Sequence, residues 1–488
     1  MVAPTNHFCG TGKSNGRKTR IDMLPDDLLL EIFDFCRIHP SFKFIFHLGC
    51  PGLWKWHLLA HVCQRWRQII FESPQRLDIK ILCTPKTPIR EKLHIWPTLP
   101  IVVDCNSIDG IGTEGEDNLV AALGHSDRVC YIRVQGSDLE KIVTVMQVPF
   151  PALTHLDIYS RDHDLDNEDV PAQAPALSAE FLGGSAPCLQ EISLSRIPFP
   201  TLPTLLLSTG NLVGLFLISI PSTGYISPEA MAMGLAPLPK LESLLISFQS
   251  FSSDQIHPPP TTRIVLPALA TFSFQGAYAY LENVVACIDS PQLNRIHIKY
   301  LNQHFGIPVA QLAKFLDRSM GPNLALLKHA RIRFFAYYFS FTMCRHPSSI
   351  WHISCQGIDL QVPKIAHSFR QFSATLSNVI HLKLEVEREG RQFEDADEVE
   401  WILLLCQFST IQSLYVSQEL AVPISFALED ISVEMSIEVW PSLDLICLEG
   451  LPASSIEKFV TARQLSGRPV IVVNTKTEFS ERLESSVE

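Results

Sequence analysis

Two hydrophobic rhythms divide the chain. In MLPDDLLLEIFDFCR (23–37) the apolar positions Leu28, Ile32 and Phe35 fall on one helical stripe, widened by Leu29 and Phe33. Pro25 suits the first turn of that helix, where an N–H has no partner, and Asp26 and Asp27 complement the positive end of its dipole. After an interruption rich in His, Pro and Gly, WKWHLLAHVCQRWRQIIFES predicts a second helix with Leu58, Leu59, Val62, Trp66, Ile69 and Ile70 on its apolar side, closed by Pro74. Residues 1–20 read as a disordered, polar and basic arm and 21–73 as one small helical module.

From Val129 onward the rhythm changes to a short motif, apolar-x-x-apolar-x-apolar. It occurs as VCYIRV (129–134), LTHLDI (153–158), LQEISL (189–194), LVGLFL (212–217), LESLLI (241–246) and LATFSF (269–274). It continues as LNRIHI (293–298), LKHARI (327–332), VIHLKL (379–384), IQSLYV (411–416) and LDLICL (443–448). Most starts lie roughly 23–36 residues apart, the interval of leucine-rich repeats, in which each unit buries its apolar face only against its neighbours. The larger gap between 327 and 379 marks a degenerate unit or an insertion. Helical stretches lie between motifs: DADEVEWILLLCQF (395–408), and SSIEKFVTARQLSG, with capping-box spacing from Ser454 to Glu457 and a C-terminal stop at Gly467. One strand and one helix per unit predict an α/β fold, a right-handed solenoid with a mostly parallel sheet over 129–473. A linker with the first repeat or cap fills 74–128, and 474–488 reads as a polar tail.

Composition narrows the function classes. With 46% hydrophobic and 18% charged residues in 488, the chain has material for a core. A net charge of −12 disfavours non-specific nucleic-acid binding. The 13 cysteines are scattered without C-x-x-C, as expected of thiols in a reducing compartment rather than a disulfide framework. No secretory leader or membrane span is read, so a cytoplasmic or nuclear location is expected.

Residues 21–73 resemble the F-box. The resemblance is carried by Leu24-Pro25-Asp26-Asp27-Leu28, then Ile32, then Val62-Cys63-Gln64-Arg65-Trp66-Arg67. Ahead of leucine-rich repeats, the arrangement is similar to the large F-box families of mushroom-forming fungi. The resemblance implies a non-enzymatic substrate receptor that docks the Skp adaptor of a Skp–cullin–F-box ubiquitin ligase and holds a target protein on its repeats. It implies Leu24, Pro25, Leu28, Ile32, Val62, Cys63 and Trp66 as adaptor contacts. The alternative is a repeat-based protein-binding scaffold whose F-box has drifted and no longer meets the adaptor.

Chemical look-alikes fail at identifiable positions, so no enzyme, cofactor or metal is expected. GTGKS (10–14) has His7 where a phosphate loop needs glycine, and no strand precedes it. DHDLDNEDVPAQ (162–173) has Asn167 and Gln173 where a calcium loop needs glycine and glutamate. His57 and His61, near Cys50 and Cys63, read as packed histidines rather than a zinc site. The acids Glu394, Asp395, Asp397, Glu398 and Glu400 open a helix.

In such repeats the residues between the leucines line the concave sheet face. That gives a row of Arg133, Asp157, Tyr159, Ser193, Ser195, Phe216, Ser273, His297, Lys299, Arg331, Arg333, Lys383, Tyr415 and Glu449. It turns basic at His297, Lys299, Arg331, Arg333 and Lys383, a candidate site for an acidic or phosphorylated target segment.

Overall fold

The computed structural model describes residues 20–35, 59–74, 79–86, 89, 93–94, 98–106, 108, 112–137, 139–161, 175–249, 263–301, 309–324, 326–335, 338–344, 350–356, 362–387, 398–430 and 440–477. The phosphate-loop and calcium-loop look-alikes, with His57 and Cys50, lie outside the described residues. The chain divides into two compact units, 1–82 with 90–102, and 83–89 with 103–488.

In the small unit a single turn, Arg20–Met23, leads into α1 (Asp26–Phe35), and α2 (Gln64–Glu72) follows. Arg65 ties the two helices together. Its Nη2 donates to the Leu24 carbonyl at 2.5 Å and to Asp26 Oδ1 at 2.5 Å, and its Nε donates to the same carboxylate at 3.1 Å. The core is Leu29, Leu30 and Phe33 against Ile69 and Ile70, with Trp66 edge-on to Phe33 at 4.8 Å. The expected stripe of α1 is therefore rotated by about one residue, and Leu28 and Ile32 face outward. Cys63 caps α2, its sulfur accepting from the Trp66 amide at 3.4 Å.

The larger unit is the expected α/β repeat solenoid. β1 (Ile81–Cys83) and β2 (Ile101–Cys105) precede it in the chain. All eleven motifs then become strands: β3 (Val129–Gly136), β4 (His155–Ser160), β5 (Glu191–Ser195), β6 (Gly214–Ile220), β7 (Ser243–Phe248), β9 (Thr271–Gly276), β11 (Arg295–Tyr300), β12 (His329–Phe334), β15 (His381–Val386), β16 (Ser413–Val416) and β17 (Leu445–Leu448). β18 (Ile471–Val473) ends the sheet, and β8 (Ile264–Val265) pairs with β10 (Ile288–Asp289) separately. Helices lie between the strands: α3 (Thr113–Leu123), α4 (Glu140–Val145), α5 (Leu202–Leu206), α6 (Pro228–Leu235), α7 (Tyr278–Cys287), α8 (Ala310–Leu324), α9 (Val362–Arg370), α10 (Ser373–Leu376), α11 (Glu398–Leu405), α12 (Gln418–Asp430) and α13 (Glu457–Leu465).

The motif has a mechanical reading. Its leading leucine closes a tight turn before the strand, its amide reaching back three residues: Leu153 to Phe150, Leu189 to Ala186, Leu212 to Thr209, Leu241 to Leu238, Leu269 to Leu266, Leu293 to Ser290 and Leu443 to Trp440. The next apolar residue starts a ladder on the helix side, in register from Ile132 through Leu156, Ile192, Leu215, Leu244 and Phe272 to Ile296, all buried.

The long gap holds an insertion. After β12 the chain doubles back as β13 (Tyr338–Cys344) and β14 (Ile350–Gln356), giving the local order β11-β14-β13-β12-β15. β13 is antiparallel to both neighbours, whereas β14 is parallel to β11 and β12 to β15. Aromatic packing secures the hairpin: Phe341 meets Trp351 edge-on at 5.3 Å and Phe369 of α9 at 4.8 Å.

The capping box expected from Ser454 to Glu457 does not form. A single 3-10 turn, Ala453–Ile456, displaces Ser454 from the cap position of α13. Glu429 of α12 caps it instead, accepting from the Lys458 amide at 2.9 Å and the Phe459 amide at 3.4 Å. Gly467 ends the helix with φ at 69°. From the same helix Arg463, 1% exposed, donates to the Trp440 and Leu443 carbonyls at 2.8 and 2.5 Å and so secures the turn before β17. Arg463→Ala leaves those buried carbonyls without the guanidinium; a loss of about 3 kcal/mol and a lower melting temperature are expected in thermal and urea unfolding.

Candidate binding faces

Two surfaces carry unspent chemistry, one on each unit. On the small unit Leu28, Ile32 and Val62 are exposed by 44, 37 and 59%. Leu24, Cys63 and Trp66 are half-buried and Pro25 is exposed. Of the seven sequence-derived adaptor residues, then, Leu28, Ile32, Val62 and Pro25 offer surface, while Trp66 and Cys63 are engaged in packing and capping.

The second surface is the sheet face turned away from the buried ladder. Strand register places Arg133, Asp157, Ser193, Phe216, Leu245, Ser273, His297, His352, Thr342, Arg331, Lys383, Tyr415, Cys447 and Val473 in one continuous row. In a neighbouring row Lys299, Ser354, Ser340, Arg333 and Glu385 follow one another. On the opposite side Cys344, His329, His381 and Ser413 do the same.

Charge is graded along this face. At the β3–β5 end Arg133 lies 3.4 Å from Asp157 and 3.9 Å from Asp104. Burial raises the Asp157 carboxyl against the opposing pull of Ser193 and Arg133, and burial with the Asp157 charge raises Glu191. Apolar ground follows at Phe216 and half-buried Leu245. Gly214 is needed here, since a Cβ on it would come within 2.8 Å of the Phe216 ring. Beyond Ser273 the face becomes basic and histidine-rich.

The chain resembles a leucine-rich-repeat protein. A solved structure similar to it is the leucine-rich repeat-containing protein LegL7 from Legionella pneumophila, at 14% identity over 80% of this chain and 98% of that one, with a TM-score of 0.25. No family model and no curated protein matches the sequence. The likeness is too slight to bear on function.

The five basic residues read from the sequence share this end of the face. His297, Arg331 and Lys383 stand in the central row, Lys299 and Arg333 in the adjacent one. Their spacing differs from expectation, because the hairpin places His352 and Thr342 between His297 and Arg331. Their charge is also tempered. Glu385 lies 3.3 Å from the Arg331 Nε and 2.5 Å from the Lys383 ammonium. Its place two residues after Lys383 on the same strand was a usable signal. Lys383 also sits over the Tyr415 ring at 4.7 Å, and Arg333 over Phe335 at 5.9 Å, beside the stacked pair Phe335–Tyr338.

Two histidine pairs stand on this face, and of their four members only His297 belongs to the row read from the motifs. His297 and His352 lie 4.7 Å apart, and His329 stacks on His381 at 4.6 Å. Thr342 Oγ1 meets His352 Nδ1 at 3.0 Å, and Ser413 Oγ meets His381 Nδ1 at 2.7 Å. Among the described residues no group of three or more His, Cys, Asp or Glu is arranged to hold a metal ion, and no helix is long and apolar enough to cross a membrane.

Burial, with the neighbouring imidazole's charge next, lowers His352 and His381 from 6.5 to about 4. The folded chain therefore keeps them neutral in a range where the unfolded chain protonates them. Their contribution to stability is full above about 6.5 and is lost as pH falls towards about 4. Urea titrations at about pH 7 and pH 5 should show a smaller pH-dependent fall for a His352→Gln/His381→Gln chain than for its parent. An equal fall in both would remove the histidines as the cause.

Proposed function

We propose that this chain is the substrate receptor of a Skp–cullin–F-box ubiquitin ligase, docking the Skp adaptor through Leu28, Ile32 and Val62 and a target protein through the open sheet face. The observation that carries the reading is the division of apolar residues on the small unit. Leu29, Leu30, Phe33, Ile69 and Ile70 supply its core, yet Leu28, Ile32 and Val62 remain exposed. A helical module this small gains little from its own core, and apolar side chains left in water on it are the kind of surface that a partner covers. The F-box pattern around Leu24-Pro25 and Val62-Cys63 through Trp66 supplies the partner's identity. On this reading the chain performs no bond chemistry itself, needs no cofactor, and works in the cytoplasm or nucleus.

The graded face suits an extended target segment. At about 4.8 Å per strand, Asp157 and Arg331 stand roughly 40 Å apart along the row, the reach of about a dozen extended residues. Such a segment would carry basic character over Asp157 and Glu191 and an apolar residue over Phe216 and Leu245. Acidic or phosphorylated groups would lie over His297, Lys299, Arg331, Arg333 and Lys383.

Leu28→Asp with Val62→Asp should abolish co-purification of the Skp adaptor while leaving the melting temperature within a few degrees, because both side chains are already solvated. These positions are sharper probes than Trp66, whose ring packs on Phe33. Arg331→Glu with Arg333→Glu should weaken target capture by roughly tenfold or more and spare adaptor binding. Failure of the unaltered chain to recover the adaptor would leave a repeat-based scaffold as the function, and recovery unchanged by the Leu28/Val62 change would remove these side chains as the docking contacts.

A further inference from the structure

The helices of the larger unit do not all meet water in the same way. α8 shows Lys314 and Asp317 to solvent, and α9 shows His367 and Arg370. α13 shows Glu457, Lys458, Thr461 and Gln464 ahead of its last residue, Leu465. Between them, α11 packs on α9 and α12 packs on α11 and α13, and these two break the pattern. Val399 and Leu403 of α11 are exposed by 53 and 40%, and Val422 and Phe426 of α12 by 48 and 58%. Each pair is four residues apart and so forms one outward stripe. The inner sides are already occupied, with Trp401, Leu404 and Leu405 buried on α11 and Leu420, Ile424 and Leu428 on α12. From Trp401 to Leu405 α11 is apolar on every side, the composition of a helix covered all round. Adjoining stripes of this kind are a surface that a partner removes from water.

The rim of this surface is acidic. Neither helix carries a Lys, Arg or His, and their charged residues are Glu398, Glu400, Glu419, Glu429 and Asp430. Four of these have a local role. Glu398, Glu400 and Glu419 stand in first turns, where a carboxylate complements the helix dipole. Glu429 caps α13 and lies 3.7 Å from the Lys458 ammonium. Asp430 is different, because it is exposed at the last residue of α12 and opposes the dipole. At about 3.6 residues per turn, Glu419, Phe426 and Asp430 fall on one line with Val422 beside it. An aromatic anchor thus stands between two exposed carboxylates about three turns, roughly 16 Å, apart.

We infer that the outward faces of α11 and α12 form a further docking surface, which takes a basic amphipathic helix of a partner protein. The apolar stripe of that helix lies over Val399, Leu403, Val422 and Phe426, and its lysines or arginines, about three turns apart, meet Glu419 and Asp430. The same rim repels an anionic bilayer, and pairing this face with its own copy would bring like charges together. The surface belongs to the helix side, opposite the sheet row, and rests on neither the adaptor nor the target reading.

The probe is a fluorescent synthetic amphipathic helix of about 18 residues built from leucine and lysine, with a leucine–glutamate version as its control. In anisotropy titrations the full-length chain should bind the lysine helix at least about tenfold more tightly than the glutamate helix, with the difference shrinking at high salt. Leu403→Ser with Phe426→Ser should weaken that binding about tenfold or more, and Glu419→Lys with Asp430→Lys should do the same. Both chains should melt within a few degrees of the parent, since all four side chains are solvated. Glu114→Lys with Asp117→Lys, on the exposed acidic side of α3, should leave binding unchanged. No binding by the unaltered chain, equal binding of the two helices, or binding untouched by both double changes would overturn the inference. Dimers, or capture on phosphatidylserine vesicles, that Phe426→Ser abolishes would give the face to a second copy or a membrane and overturn it as well.

Discussion

The backbone turn closed by the leading leucine in seven of the eleven motifs is the constraint on which the larger unit rests. Its amide reaches back three residues, and its side chain, almost wholly buried at seven such turns, sits where one repeat meets the next. Burying such a side chain is worth about 1.5–3 kcal/mol, but no single repeat gathers enough of them to offset the entropy of ordering its chain. Only stacking does. The turn also fixes strand phase, so the second and third apolar residues must face the helices and the residue between them must face away. A binding row is therefore a consequence of the core, built before any selection on what it binds.

That consequence explains what the sequence made legible. Because phase follows from the motif, nine row positions from Arg133 to Tyr415 could be named without coordinates, and register joins them. Order along the row was not legible where the β13–β14 hairpin breaks the one-strand-per-unit rule. An antiparallel return leaves no leucine-led turn to read, and its alternating aromatics look like any buried run. Glu385 is legible by the same alternation, two residues after Lys383 on β15, and its carboxylate is what tempers the basic band.

On the small unit, legibility was partial in an instructive way. A stripe five residues wide on α1 covers more than one face can bury, so the pattern alone does not say which part is core. The decision comes from α2 through Arg65, which holds Asp26 and the Leu24 carbonyl and so sets which side of α1 meets Ile69 and Ile70. Leu28 and Ile32 are left outside by that clamp rather than by any property of their own. The same logic separates Trp66 from its neighbours in the motif, since a ring packed on Phe33 serves the unit's own stability first.

The last strands carry the argument one step further. An open face lined by Arg133, Asp157, Ser193 and His297 is polar because water is its resting partner. At Leu445, Cys447, Ile471 and Val473 that chemistry gives way to apolar side chains. Cys447 is buried there with its thiol donating to the Thr475 carbonyl, and Tyr415 lies under the Lys383 ammonium with its hydroxyl donating to Glu449. The polar row and the buried patch are two outcomes of one strand phase: the motif decides which positions turn away from the helices, and the residue placed there, with what the chain lays beside it, decides whether the position stays open.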